Sequence, residues 1–341
     1  MHPKVSIVIL NYSTADCLRS YLPSVLQSTY PNFEVVVADN GSKDESIAVL
    51  KEQFPQVTLL QFHKNLGYAG GYNKALKLLE STYFVLLNSD VKVEPGWLEP
   101  LVAFAQKNKE VGALQPCIAD INRESFYEYA GAAGGFIDRY GYPFCRGRIG
   151  PVLEPISEDY QQPTPVFWTS GACLFIRSKV FESLGGFDAR FFAHMEEIDL
   201  CWRMQNQGYE LFCIPESKVF HLGGGTLNRA SPQKTYLNFH NGLAMLAKNL
   251  HPSERLLTII MRLILDHFAA YSYLFRGKVT HFFAVAKAHF RFITGYKKWV
   301  RLGPTQNRLK TKALKGMYSD SIILAYLLKR LRHFRDLEWK K

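Results

Sequence analysis

Tyr83-Phe84-Val85-Leu86-Leu87-Asn88-Ser89-Asp90 is an apolar run that stops on a short acidic turn. β-prone residues without polar alternation read as a strand buried on both faces, as in a parallel sheet. Val91 and Val93 follow at once, with no helix cap between. In open α/β sheets, ligands bind beyond the carboxyl ends of the strands. An Asp placed there can hold a divalent cation through hard oxygen ligands, and the cation can hold a diphosphate. Asn, Ser and Asp are also ordinary turn residues, so the tripeptide alone leaves a solvated turn open.

Upstream of this run, the chain alternates. Residues 5–10, 33–38 and 57–62 read as strands, and residues 15–27, 44–54 and 69–79 as helices. Residues 97–108 give a further helix downstream. Strands separated by helices of this length imply βαβ units with right-handed crossovers. Residues 116–168 break the rhythm with Gly, Pro and aromatic residues, and read as loops and short hairpins covering the sheet edge. Residues 172–176, 209–214 and 218–222 read as strands, and 178–184 and 196–207 as helices, the last closed by Gly208. From residue 231 the pattern is helical to the end. The division expected is a sheet domain over 1–250 and a helical region over 251–341.

Charge follows that division. Residues 251–341 hold 19 Lys and Arg against 5 Asp and Glu, a surplus of 14 in a chain whose net charge is +11. Polyanion binding is therefore expected in the C-terminal region. The six cysteines are scattered, with no zinc-holding spacing; four lie in apolar or helical runs and read as small buried hydrophobes, and a reducing compartment is expected. The N-terminal apolar run is too short for a secretory signal, and no stretch of about 20 residues is free of charge, which argues against a clean membrane span.

Four further polar groups fall where strands end or helices start. Asp39-Asn40-Gly41-Ser42 follows the second strand; a carboxylate there can accept from a pyrimidine ring or a ribose hydroxyl, or simply form a capped turn. The run from Asn65 through Gly67 and Gly71 to Asn73 places glycines at a loop-to-helix junction, where backbone N–H groups can approach an anion or where small residues pack tightly on the sheet. Glu196, Glu197 and Asp199 cluster near a helix start. Helix-dipole stabilisation explains acidic residues there, but these are bracketed by Phe191, Phe192, Met195, Ile198, Leu200 and Trp202. Carboxylates so embedded are expected to face a cleft, where desolvation raises the pKa and makes a useful base. His221 ends an apolar strand and precedes the Gly-rich residues 222–226, which suits a metal ligand beside a closing segment; a structural histidine is the plainer reading.

Taken in order, these residues resemble the family 2 glycosyltransferases of the GT-A fold, closest to bacterial rhamnosyltransferase-like and galactofuranosyltransferase-like members, over residues 5 to about 250. The resemblance implies a Rossmann-like α/β fold with a mostly parallel central sheet flanked by helices, here followed by a helical basic appendage. It implies Asp39 at the nucleobase, and Asn11, Asn65, Gly67, Gly71, Asn73, Asn88 and Trp168 among the nucleotide-sugar and acceptor contacts. Asn88-Ser89-Asp90 occupies the Asp-x-Asp slot, with Asp90 retained as a metal ligand and His221 joining it on Mg²⁺ or Mn²⁺. Glu197 matches the usual base, flanked by Glu196 and Asp199. Two departures stand out: Asn88 replaces the first acid of Asp-x-Asp, and Glu197 is one methylene longer than the usual Asp.

The activity expected is inverting transfer of a sugar from a UDP- or dTDP-linked donor to a hydroxyl of a saccharide or lipid-linked saccharide, in cell-surface polysaccharide assembly. The chain is expected in the cytoplasm, peripheral at the inner face of the plasma membrane, where its basic helices either meet anionic lipid or only pack on the sheet domain. Nucleic acid is not an expected partner, since no recognised motif supports it. Asn88 feeds the alternative of a catalytically silent nucleotide-sugar-binding or scaffold protein. A nucleotidyltransferase would want a Gly-rich basic loop after the first strand, and residues 11–16 contain neither.

Overall fold

The computed structural model describes residues 2–223, 231–303 and 307–339. Fifteen strands and ten α-helices are described. The strands are β1 (Val5–Asn11), β2 (Phe33–Asp39), β3 (Thr58–Gln61), β4 (Tyr83–Asn88), β5 (Val91–Val93), β6 (Val111–Asp120), β7 (Arg123–Tyr127), β8 (Gly135–Asp138), β9 (Pro143–Cys145), β10 (Arg148–Ile149), β11 (Val152–Leu153), β12 (Thr164–Pro165), β13 (Cys173–Arg177), β14 (Glu210–His221) and β15 (Met317–Tyr318). The helices are α1 (Ala15–Leu26), α2 (Ser46–Gln53), α3 (Gly67–Leu76), α4 (Leu98–Lys107), α5 (Ser178–Ser183), α6 (Glu196–Asn206), α7 (Pro232–Asn249), α8 (Pro252–Phe275), α9 (Val279–Leu302) and α10 (Ile322–Leu327).

The main sheet runs β12-β14-β6-β13-β4-β1-β2-β3, with β5 beside β14 and β7 beside β6. β3, β2, β1 and β4 are parallel, while β13 is antiparallel to β4 and β6. The pleat divides each central strand between two cores. Ile7 and Ile9, Val35 and Val37, and Val85 and Leu87 join α1 and α4 on one face. Val8, Val36, Phe84 and Leu86 join α3 and α6 on the other. Phe84, Val85, Leu86 and Leu87 are all fully buried, and each such side chain contributes roughly 1.5–3 kcal/mol of transfer free energy. Register then aligns the polar ends: Leu10 lies opposite Asn88, and Asn11 opposite Asp39. The expected acidic turn after Leu87 is therefore at the same edge as the turn after β2.

Three expectations need correction. β6 runs to Asp120, into the segment expected to be loops, because Gln115 and Pro116 interrupt the apolar pattern without interrupting the strand. The strands expected over 209–214 and 218–222 are one, β14, with a register shift between Ile214 and Lys218. The C-terminal region is not helical to the end. Beyond α9 the described residues contain only α10, short 3₁₀ turns and β15. β15 pairs with β8, placing Met317 opposite Ile137 and completing a second sheet of order β11-β10-β9-β8-β15. Asp138 accepts from the backbone N–H of Tyr140, Tyr142 and Ile322, and Trp339 packs on Phe136, Phe144 and Tyr318.

α8 is long and apolar enough to cross a membrane by length and composition, a finding that the scatter of charges had argued against. Its two central charges are buried and paired, Arg262 Nε with Asp266 Oδ1 at 2.8 Å. Tyr142 also donates to that Asp266 oxygen, at 2.6 Å, so one face of α8 is fastened to the loop after β8. All six cysteines are free, and five are buried.

Candidate active site

β1, β4 and β14, the α3 start, the α6 start and α7 together wall a cavity of about 690 Å³. Asn88, Ser89 and Asp90 enter it from the end of β4, His221 from the end of β14, and Glu196 and Glu197 from the α6 start. Asn65 and Gly67 form part of the wall at the α3 start. The two carboxylates expected to share one pocket, Asp90 and Glu197, therefore do.

Asp90 Oδ1 lies 3.1 Å from His221 Nε2. His221 Nδ1 lies 3.4 Å from Glu128 Oε1, and Asn88 Nδ2 is 3.5 Å from Nε2. Burial opposes charge on this ring, but the hydrogen bonds to Asp90 and then Glu128 outweigh it and raise His221 to about 10. Two buried carboxylates thus converge on one imidazole. Ligands around an octahedral Mg²⁺-type ion at about 2.1 Å stand about 3 Å apart, so the Asp90–His221 spacing fits two adjacent ligands. Among the described residues, no three His, Cys, Asp or Glu side chains form a group that could hold a metal alone. The donor set suits a cation that takes its other oxygens from a bound ligand.

Glu196 and Glu197 are the first two residues of α6 and follow a strained segment. Phe192, His194 and Met195 have φ of 62°, 70° and 74°, a region that non-glycine residues rarely occupy and that clusters at functional sites. The strain is held from two sides. Phe192 O accepts from Tyr68 N at 2.8 Å, at the start of α3. Asn241 Nδ2, on α7, donates to the carbonyls of Phe191, Ala193 and His194 at 2.9, 3.0 and 2.9 Å. Gly67, at φ +73°, is required here, since a Cβ would stand 2.5 Å from Phe192 O.

Burial pushes Glu197 up to about 7, against hydrogen bonds from the backbone at the helix start that favour its anion. Glu196 is raised well above the carboxylate range, by burial first and the adjacent Glu197 charge second. One oxygen of each carboxylate is buried without a hydrogen-bond partner. Burial, then the Lys234 charge, lowers His194 to about 4, making it a weaker base than Glu197 near neutrality. The arrangement can hold a proton acceptor near pH 7 across the cavity from a cation-binding edge.

Other expected positions lie outside the cavity wall. Asp199 is fully buried and held by Arg203 Nε at 2.9 Å, Lys248 Nζ at 2.8 Å and Asn249 Nδ2 at 2.8 Å. Burial opposes its charge, but Lys248 and Arg203 win and lower its pKa. Two positions along a helix are about 200° apart, so Asp199 points away from Glu197 and ties α6 to α7. Asn73 exchanges two hydrogen bonds with the Phe187 backbone, at 2.7 and 2.9 Å, and fastens the loop after α5. At Gly71 a Cβ would stand 2.7 Å from the Leu10 side chain, which is tight packing on the sheet. Trp168 is buried and donates from Nε1 to Phe136 O at 2.8 Å; its neighbours Ser170, Gly171 and Ala172 line the wall instead.

Asn11 and Asp39 lie beside the cavity and hold one another: Asn11 Nδ2 donates to Asp39 Oδ2 at 2.9 Å, and Gly41 N and Ser42 N donate to Oδ1. Asn40 reaches the wall and braces the α3 start through Asn65, Leu66 and Gly67. Of the Gly-rich segment after His221, Gly223 lines the cavity, and 224–226 lie outside the described residues. Glu128, Lys234, Thr235 and Tyr273 were not expected in the site. Glu128 sits between hairpins without readable periodicity, and the other three come from helices that carried no motif.

The family model described as "Glycosyl transferase family 2" matches residues 6–185. The chain is 34% identical over 223 residues to the O-antigen biosynthesis protein RfbC of Myxococcus xanthus, covering 64% of this chain but only 17% of that protein. It is 31% identical over 232 residues to the N-acetylglucosaminyl-diphospho-decaprenol L-rhamnosyltransferase of Mycobacterium tuberculosis, covering 63% of this chain and 75% of that protein. The rhamnosyltransferase WbbL of Escherichia coli is 23% identical over 226 residues, covering 64% and 83%. Among solved structures, GalNAc-T7 with UDP, GalNAc and Mn²⁺ superposes with a TM-score of 0.58 at 18% identity, covering 73% of this chain and 48% of that one. S. aureus TarS 1–349 with UDP-GlcNAc gives 0.58 at 14% identity, covering 88% and 84%. These two show a GT-A-like fold. Matched by its model over more than half of its length, the chain belongs to glycosyl transferase family 2.

Proposed function

We propose that the protein is an inverting glycosyltransferase that moves a sugar from a nucleoside-diphosphate donor to a hydroxyl of a saccharide or lipid-linked saccharide. Its rhamnosyltransferase relatives favour a rhamnosyl group as the cargo and cell-surface polysaccharide as the product. The observation that carries the reading is the shared cavity into which Asp90 and Glu197 both open. Residues 1–250 hold that chemistry, and 251–341 brace it and supply the basic surface. A position at the inner face of the plasma membrane suits that charge and a lipid-linked acceptor.

Asp90 and His221 would hold Mg²⁺ or Mn²⁺ together with diphosphate oxygens, and the cation, when bound, supplies neutralisation of the leaving charge. Asp39, steadied by Asn11, reads the nucleoside, and Asn65, Gly67 and Asn88 border the diphosphate and sugar. Glu197 takes the proton from the acceptor hydroxyl as that oxygen attacks the anomeric carbon from the face opposite the nucleotide, and the bond from that carbon to the diphosphate oxygen breaks to release the nucleoside diphosphate. A held geometry and a positioned base each lower the barrier, the base by about 10²–10⁴-fold in rate. A thermal-shift panel of UDP-, dTDP- and GDP-sugars with and without Mn²⁺ tests the donor, and NMR of the product anomer tests the stereochemistry. Cation-dependent stabilisation by one nucleotide class and an inverted anomer are expected. Retention of configuration would remove the single-displacement mechanism.

A further inference from the structure

We propose that the tip of the α8–α9 hairpin docks in the interface of an anionic bilayer beside the cavity mouth. This deepens the membrane side of the reading above and rests on it for the acceptor alone.

Large apolar side chains are exposed along both helices, from Leu256 and Leu257 to Phe290 and Ile293, and the stripe continues across the tip. Phe275 is 86% exposed, Phe268 68% and Phe283 63%, and Tyr271, Leu274 and Val279 are exposed with them. The residues joining the helices, including Arg276 and Lys278, are exposed as well. From residue 267 to residue 301 there is no Asp or Glu, against seven Lys and Arg. Apolar groups clustered on a surface mark an interaction site. Aromatic side chains interleaved with cations fit a leaflet whose acyl boundary takes the rings and whose phosphates take the charges. A second copy of this chain fits worse, because two such tips would bring their positive charges together.

The tip is fastened to the cavity. The Tyr273 ring stacks on His281, with centroids 5.1 Å apart, and His281 Nδ1 lies 2.7 Å from Thr235 Oγ1. Tyr273 and Thr235 both line the cavity wall. A tip seated in the headgroup layer would therefore hold the Thr235–Tyr273 wall of the cavity toward the membrane, where the saccharide of a lipid-linked acceptor stands.

Flotation of the full-length protein with phosphatidylcholine vesicles, alone or with about 30 mol% phosphatidylglycerol, tests this. The wild type should float with the anionic vesicles and lose most binding in high salt. Phe275→Ser/Phe283→Ser should bind at least about tenfold more weakly, and Arg276→Glu/Lys278→Glu should lose the preference for phosphatidylglycerol. Both variants should melt like the wild type and transfer to a water-soluble acceptor within about twofold of its rate, by the small effect of surface changes. Equal flotation of wild type and tip variants, or no flotation of either, overturns the proposal. So does a wild-type dimer that the tip variants dissolve, since the partner would then be a second copy. Because binding is read without donor or acceptor, it can fail while glycosyl transfer stands.

Discussion

Glu197 and Asp199 stand two positions apart and face opposite ways. Glu197 meets the cavity and is raised to about 7, whereas Asp199 is buried among Lys248, Arg203 and Asn249. A base must be ionised to act, so transfer should rise with pH through about 7, whereas an ordinary Glu would already be fully active near 5.5. The same shift acts on stability. Glu197 has a folded pKa above the ordinary value of 4.5, so its contribution is complete below that value and is lost as pH rises through about 7. Glu197→Gln should therefore unfold at a higher denaturant concentration than the wild type at pH 8, with the gap closing near pH 4. Asp199→Ala leaves Lys248 buried beside less charge and should cost about 3–5 kcal/mol in chemical denaturation. Glu197, Asp90 and His221 were legible because each ends or begins an apolar element. Asp199 was misplaced because closeness in sequence hides helical phase, and Glu128 was invisible because its segment has no periodicity.

The segment before α6 shows what an element needs from its neighbours. Its left-handed residues persist because Tyr68 N holds the Phe192 carbonyl and Asn241 Nδ2 holds those of Phe191, Ala193 and His194. Asn241→Ala leaves three carbonyls without that donor, which costs about 1–3 kcal/mol and frees the α6 start. Turnover should fall at least about tenfold while donor affinity stays within about threefold, because the cation edge is built from β4 and β14. Equal losses in both quantities would place Asn241 outside the positioning of Glu197. The parallel strands were legible from runs of apolar residues, and the polar turns at their carboxyl ends pointed to the site. β6 was not, and β14 was read as two strands, because Gln115, Pro116 and the Pro215–Ser217 break look like turn chemistry. Gln115 stays in the strand because its side chain bonds to Ser170 N and Gly131 O inside the core.

The C-terminal region is part of the same fold. Ile259, Phe292, Trp299, Leu314, Tyr318 and Leu337 share one buried cluster with α6 and β8. Deleting residues 307–339 removes β15 from β8 and uncovers Phe136 and Phe144, so the shortened protein should melt well below the full chain and aggregate on heating; equal melting would show the segment to be dispensable. The sequence marked this region as basic and helical but could not show the β15–β8 pairing, since contacts between residues some 180 positions apart leave no local pattern. Around this frame one cavity joins Asp90 to Glu197, and calorimetric titration of the donor with Mn²⁺, beside a transfer assay, tests it most directly. Glu197→Gln should bind donor as the wild type does and lose about 10²–10⁴-fold in transfer, and Asp90→Ala should lose cation-dependent binding. Near-normal turnover in Glu197→Gln, or unchanged cation-dependent binding in Asp90→Ala, would contradict the account.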